Sequence, residues 1–298
     1  MPARLSPRRG RRKRALSPNS MMSRRAFAGA VLSLAALPVR ADEKPVRFAV
    51  AGALTQGSLA LGSAPPGSLV ALDGRPLRVT PDGRFAFGFS PDQTKPSLVT
   101  VRYPGGGGDS RSFTPTPRQY EVERVNGLPQ KTVTPPPEVE ARIAHEAETI
   151  YLARLDDTAG TDFLSGFDWP APGIESGVFG SQRIDNGVPM APHYGVDMAA
   201  PVGTPIHAPA DGVVRICNDY YLDGGFTLID HGQGVSTSYL HQSKRLVKPG
   251  DMVKRGQTIG LIGATGRATG PHLHWAMNWF EVRLDPSLST RKPKPDSL

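Results

Sequence analysis

The sequence predicts a mainly β protein made of two β units joined by one helix, and three observations lead there. Between Val46 and about Val101, short apolar runs are broken by turn signals at Gln56-Gly57, Pro65-Pro66-Gly67, Asp73-Gly74 and Asp82-Gly83. Turns this closely spaced between β-forming residues indicate a small all-β unit, most simply a sandwich. From Phe167 onward Gly or Pro stands at nearly every break between strand-like runs, including 212–217, 226–230, 235–240, 258–262 and 274–278. Between the two regions the period changes. Val139, Ile143, Ala147, Ile150 and Leu155 recur at spacings of three to five beside Glu138, Glu140, Arg142, Glu146 and Glu148, as in an amphipathic helix.

Taken in order, residues 1–41 read as a leader. Ser23-Arg24-Arg25-Ala26-Phe27 opens a mildly apolar run to Val39, and Val39-Arg40-Ala41 closes it with a small-x-small cleavage pattern. Paired arginines, weak hydrophobicity and Arg40 beside the cleavage site favour the twin-arginine class over general secretion with two incidental arginines. The run is too short and too rich in Ala and Gly to span a bilayer. Cleavage after Ala41 is therefore expected to export a protein to the periplasm or cell wall. Met21 and Met22 are alternative starts to Met1.

The leader also explains the charge. The chain holds 35 Lys and Arg against 27 Asp and Glu, a net +8 that invites a nucleic-acid or anionic-membrane partner. Residues 1–41 contain ten of the basic residues and no acidic one, which leaves 25 basic against 27 acidic residues, net −2. Neither partner is expected for the body of the protein. Cys217 is the only cysteine, so no internal disulfide forms and no lipid anchor is expected at a new N-terminal cysteine. Its setting on an apolar strand reads as packing rather than nucleophile.

The expected organisation is an N-terminal β unit over 46–118, a linker with the helix over 119–160, a C-terminal β unit over 165–286 and a tail over 287–298. The Pro-Gly-Gly-Gly-Gly stretch at 104–108 and the Thr/Pro-rich 112–117 read as loop or linker. Thr134, before three prolines, offers the helix cap. The helix is expected to join the units and pack on one of them, with His145 on its solvated side. The N-terminal unit offers no obvious site; docking on glycan, docking on a cell-wall protein partner and covering the groove until displaced are all open roles for it.

Chemistry concentrates in two histidine clusters, His193-Tyr194-Gly195-Val196-Asp197 and His272-Leu273-His274. Residues two apart on a strand share a face, so His272 and His274 project together, and Gly195 argues for an extended backbone between His193 and Asp197. Catalytic zinc takes three protein ligands and keeps a fourth position open, and these clusters supply that set with one His to spare. Tyr239, two residues before His241, is expected to share its face and reach the site. His207 and His231 read as structural, His231 with a hydrogen bond near the groove. Trp275 reads as core. The glycines of 260–270 lack the Lys-Ser/Thr of a phosphate loop and read as turns into the His272 strand.

Pro192-His193-Tyr194-Gly195-Val196-Asp197, Gly203-Thr204-Pro205, Ala208-Pro209-Ala210-Asp211-Gly212, Asp230-His231-Gly232, Tyr239-Leu240-His241, Gly263-Ala264-Thr265-Gly266 and Gly270-Pro271-His272-Leu273-His274-Trp275 occur in order over 165–286. In this the chain resembles the lysostaphin-type (LytM) zinc endopeptidases that cut peptidoglycan peptides. The resemblance implies an antiparallel, sandwich- or barrel-like β domain with a zinc groove. It implies one Zn2+ held by His193, Asp197 and His274, with His241 and His272 as catalytic residues on the open side, one of them general base. The implied substrate is the peptidoglycan stem-peptide cross-link, with a D-alanyl–diaminopimelate bond expected from the export context. Two other readings stand beside it: a non-enzymatic LytM-fold activator of cell-wall amidases, which loss of a ligand would favour, and a wall-binding module with a purely structural metal.

Overall fold

A computed structural model describes residues 47–293, so the leader, its cleavage site and the end of the tail lie outside the described residues. The N-terminal unit pairs a three-stranded antiparallel sheet, Ala49–Ala51, Leu59–Ser63 and Arg84–Gly88, with a four-stranded one. The latter runs in the order Arg75–Leu77, Leu69–Leu72, Ser97–Arg102, Gly108–Phe113. Period-two patterning explains the burial: Val99 and Val101 point inward from Ser97–Arg102 while Leu98 and Arg102 face out. Phe87 of one sheet and Phe113 of the other meet with ring centroids 6.4 Å apart, which closes the expected sandwich. Asp73 and Gly74, both at positive φ, form the two-residue hairpin between Leu72 and Arg75, the geometry that matches strand twist.

Two local expectations are corrected. The glycine-rich 104–108 and the start of 112–117 are not a linker: Tyr103 and Gly107 close a hairpin, and Gly108–Phe113 is a strand. Positive φ at Gly106 and Gly107 makes the turn tight enough for the strands to pair at once. Nor does Thr134 cap the long helix. It ends a short helix, Gln130–Val133, and the long one, Pro137–Arg154, starts behind the extended Pro136 with no side-chain cap. Proline at the first helical position and Glu138 and Glu140 in the first turn suit a helix start without a cap.

The 119–160 region contributes a strand as well as a helix. Val122–Val125 pairs in parallel with Gln182–Asp185, tying the linker to the second unit. The helix packs on that unit too: Ile150 joins Ile216, Tyr220, Phe226 and Leu228 in one apolar cluster, while His145 stays exposed. No helix among the described residues is long and apolar enough to cross a membrane.

The second unit is built on an eight-stranded antiparallel sheet, beside a three-stranded one in the order Pro205–His207, Thr258–Leu261, Lys244–Arg245. The main path of the larger sheet runs Met252–Val253, Gly212–Tyr220, Gly224–Gly232, Val235–Gln242, His272–Trp279, Val196–Ala199, Ile174–Gly177, and Val282–Leu284 pairs with the His272–Trp279 strand. Trp275, fully buried, packs edge-on to Trp169 at 5.7 Å, and burial of such a side chain contributes roughly 1.5–3 kcal/mol or more. The two β units share one apolar core. Gly88 of the sandwich lies where an added Cβ would stand 2.9 Å from Leu284 and 3.1 Å from Trp279, so the units meet backbone to side chain.

Candidate metal centre and groove

The long sheet builds the site by register. Asp197 stands directly opposite His274, and His274 directly opposite Leu240, so Val196–Ala199 and Val235–Gln242 flank the strand that carries the histidine pair. His193 enters from the loop before Val196, its amide held by the Ser181 carbonyl at 2.8 Å. The result is a triangle of close atoms. His193 Nε2 lies 3.0 Å from Asp197 Oδ1 and 2.9 Å from His274 Nδ1, and His274 Nδ1 lies 2.8 Å from Asp197 Oδ1.

The surroundings fix what these atoms present. His193 Nδ1 donates to the Val178 carbonyl at 3.0 Å, which leaves Nε2 with its lone pair turned to the triangle. Arg183 Nη2 donates to Asp197 Oδ2 at 2.6 Å and orients the carboxylate so that Oδ1 points at the two rings. Burial alone would raise the Asp197 pKa, but the contacts with His193 and His274 outweigh it and hold the carboxyl well below its ordinary value. Burial lowers His274 to about 4 against the pull of Asp197, so the imidazole is neutral near pH 7. Two glycines make the room: a Cβ on Gly195 would stand 2.5 Å from the His274 ring, and one on Gly177 2.5 Å from Asp197 Oδ2.

This donor set fits a zinc ion. Three lone-pair atoms, two of them imidazole nitrogens, converge where only a cation or shared protons relieve their mutual repulsion. Bonds of about 2.0 Å in a tetrahedral site space ligand atoms about 3.3 Å apart, so the triangle needs to open by only a few tenths of an ångström. The three residues form a buried to half-buried group able to hold a metal.

His241 and His272 stand beside the triangle with ring centroids 4.7 Å apart, and His272 Nε2 is 3.9 Å from Asp197 Oδ1. Each gives its Nδ1 to a carbonyl, His241 to Thr265 at 2.8 Å and His272 to Gly270 at 2.9 Å, which leaves each Nε2 as the acceptor. Burial, then the neighbouring His272 and His274, lowers the His241 pKa to about 3. All five residues singled out by the sequence are thus brought together.

Tyr239 is not with them, contrary to expectation. It stands opposite Trp275 on the core face, fully buried, and bonds Thr237 at 2.7 Å. His241 adopts φ 63°, and this break in the pleat re-aims it to the groove face, so the two-residue spacing no longer implies a shared face. His231 also lies away from the groove, buried between the Asp211 carbonyl at 2.6 Å and Thr237 at 2.7 Å. His207 bonds the Gly256 carbonyl, and Cys217 the Val247 carbonyl, both in structural settings.

Arg183 was missed by sequence reading, as was the wall formed by the helix. A cavity of about 330 Å³ runs from His193, His241 and His274 to Ile143, Ala147 and Ile150 of that helix. Nothing in Gln182-Arg183-Ile184-Asp185 marks Arg183, because its partner Asp197 lies on another strand, 14 residues further along the chain.

Comparison with known proteins bears on the same region. The model of Peptidase family M23 matches residues 191–286. Peptidoglycan DD-endopeptidase ShyA of Vibrio cholerae is 51% identical over 88 residues, 30% of this chain and 20% of that protein. Peptidoglycan DD-endopeptidase ShyC of the same organism is 53% identical over 106 residues, 36% of this chain and 24% of that protein. The chain thus spans a fifth to a quarter of the length of these relatives. A crystal structure assigned to peptidase M23 from Pseudomonas aeruginosa superposes with a TM-score of 0.61 at 30% identity, covering 78% of this chain and 93% of that one.

Proposed function

The chain belongs to peptidase family M23, and we propose that it is a zinc-dependent endopeptidase hydrolysing peptidoglycan cross-links, of the D-alanyl–diaminopimelate type. One observation carries this reading: His193 Nε2, Asp197 Oδ1 and His274 Nδ1 converge within hydrogen-bond distance of one another beside a groove lined by His241, with His272 packed against the His241 ring. The names of the Vibrio cholerae relatives support the substrate class.

His193, Asp197 and His274 would hold one ion. When bound, zinc polarises a carbonyl and makes nearby water acidic enough to act as nucleophile near neutral pH. The chain's own residues do the rest. The Val178 carbonyl and Arg183 keep His193 and Asp197 in one tautomer and one orientation. His241 and His272, each with Nδ1 engaged, present an accepting Nε2; one of them takes the proton of the attacking water, and the Nε2–H so formed can donate to the oxyanion of the tetrahedral transition state. Attack by water needs no acyl-enzyme, in keeping with a Cys217 thiol that is bonded to the Val247 carbonyl. The amidase-activator reading is not favoured, because no member of the ligand set is missing. Export through the 1–41 leader, with action in the periplasm or at the wall, belongs to the same proposal and rests on the leader sequence.

The test is incubation of zinc-loaded protein, residues 42–298, with purified cross-linked muropeptides, read by mass spectrometry. Dimers should resolve into monomers with uptake of one water per cut. Intact dimers at full zinc loading would overturn the proposal.

A further inference from the structure

The groove has a second cluster of charge that the zinc chemistry does not use. Arg154, Arg267 and Arg283 line the same cavity as His193, His241 and His274. Their placement follows from the sheet. His274, Ala276 and Asn278 alternate onto one face of their strand, Ser238 stands opposite Ala276, and Arg283 stands opposite Asn278. Arg154 reaches that face from the end of the helix and donates Nη2 to Ser238 Oγ at 3.3 Å. Asn278 is two pleats beyond His274, about 13 Å along the strand, and an arginine side chain spans roughly half of that.

Charge accounting leaves the cluster short of an anion. Arg267 faces Asp185 across 4.0 Å, and Asp223 is a carboxylate whose pKa burial raises against the opposing pull of Arg154, Arg267 and Arg283. Glu146, on the same wall, is taken by Arg142 at 2.6 Å and by the Tyr221 amide at 2.8 Å. Arg183 is committed to Asp197. Three cations thus meet two anions. Arg154 is only 8% exposed, and its Nε, buried, has no hydrogen-bond partner. Leaving a buried charged donor unsatisfied is costly, which is the mark of a group that completes its bonding with a ligand. The cluster also touches the site directly, since the Asp223 carbonyl accepts from the His241 amide at 2.8 Å.

We infer that Arg154, Arg267 and Arg283 form a subsite for a carboxylate of the substrate, next to the scissile bond, so that the enzyme selects stem peptides bearing a free acid over neutral or amidated ones. This rests on the hydrolase reading above for what the substrate is, and it adds which group on that substrate is read. Arginine suits the task because its planar fork binds carboxylate through two parallel bonds. Of the free carboxylates in a cross-linked stem peptide, those of the diaminopimelate residue and the C-terminal D-alanine lie nearest the scissile bond and are the two candidate sources.

The experiment uses three probes: a cross-linked stem-peptide dimer with both acids free, one amidated at diaminopimelate, and one amidated at the C-terminus. Binding to zinc-stripped protein is measured by calorimetry, and kcat/KM with zinc-loaded protein. The free acid should bind about tenfold or more tightly than one of the amides, and which amide loses affinity identifies the source. In Arg283→Gln and in the more exposed Arg267→Gln, the acid-to-amide ratio should fall to within about twofold, with zinc content unchanged. Equal binding of acid and both amides by the wild-type protein, or a ratio that survives both substitutions, overturns the subsite. Acid-selective binding without cleavage would sink the hydrolase reading and leave the subsite standing, whereas cleavage without acid selectivity does the reverse.

Discussion

In the N-terminal sandwich the buried polar side chains are Gln56, Ser58, Ser68, Thr80 and Ser97, all uncharged, whereas the large sheet buries His193, Asp197, Asp230, His231 and His241. Both regions draw on one apolar core, so packing does not separate them. What separates them is the tolerance of ionisable groups out of water. An isolated buried charge costs several kcal/mol, and only a place that supplies partners at fixed positions keeps one. The sandwich has no such place. Around the sheet there are such places at Asp197, at His231 and at Arg154, and the first and last of these line the groove while the His231 site does not.

If that division is correct, substitutions on its two sides should affect different observables. The largest effect is expected from Asp197→Ala, which should remove bound zinc and reduce cleavage of cross-linked muropeptide by more than about a thousandfold, measured by metal analysis and product mass. His272→Ala should keep zinc yet slow turnover by roughly 10²–10⁴, the usual range for a positioned acid-base group. Retained turnover with retained zinc would remove His272 from the chemistry. On the other side, Phe85→Ala empties a fully buried position packed on Gly62 and should cost about 3–5 kcal/mol in urea unfolding, with zinc per folded molecule unchanged.

The second polar island gives a pH signature instead of a catalytic one. Burial lowers the His231 pKa from 6.5 to about 4, against the pull of the Asp211 carbonyl. Between those values the unfolded chain binds a proton that the folded chain refuses, so stability falls as pH drops from 6.5 towards 4, by up to about 3 kcal/mol. Denaturation midpoints at pH 7, 5 and 4 should show this slope flattened in His231→Gln relative to wild type. The smallest effect is expected from Arg183→Gln. Loss of its bond to Asp197 Oδ2 should weaken zinc binding about 10–100-fold without unfolding the protein, read by competition with a chelating dye.

The sequence made the β character legible because turns and alternation are local signals, and it made the five site residues legible because they sit in short motifs. Register then did in space what the motifs implied, with Asp197 set opposite His274. Besides the start of the long helix, where Thr134 proved to end a shorter one, three things escaped. The hairpin at 104–107 looked like a linker, since glycine marks a tight turn and a flexible tether alike. Tyr239 was given the wrong face because a single positive φ at His241 reverses the alternation, and no residue type announces it when the residue is not glycine. Arg183 and the arginine wall were invisible because their partners come from other strands and from the helix.

The decisive measurement is the zinc content of purified protein after equilibration with zinc and removal of the excess, compared between wild type and Asp197→Ala. The account predicts about one tightly held ion per wild-type chain and none in the variant. A wild-type chain without zinc, or a variant that keeps it, would contradict the convergence of His193, Asp197 and His274 on a metal.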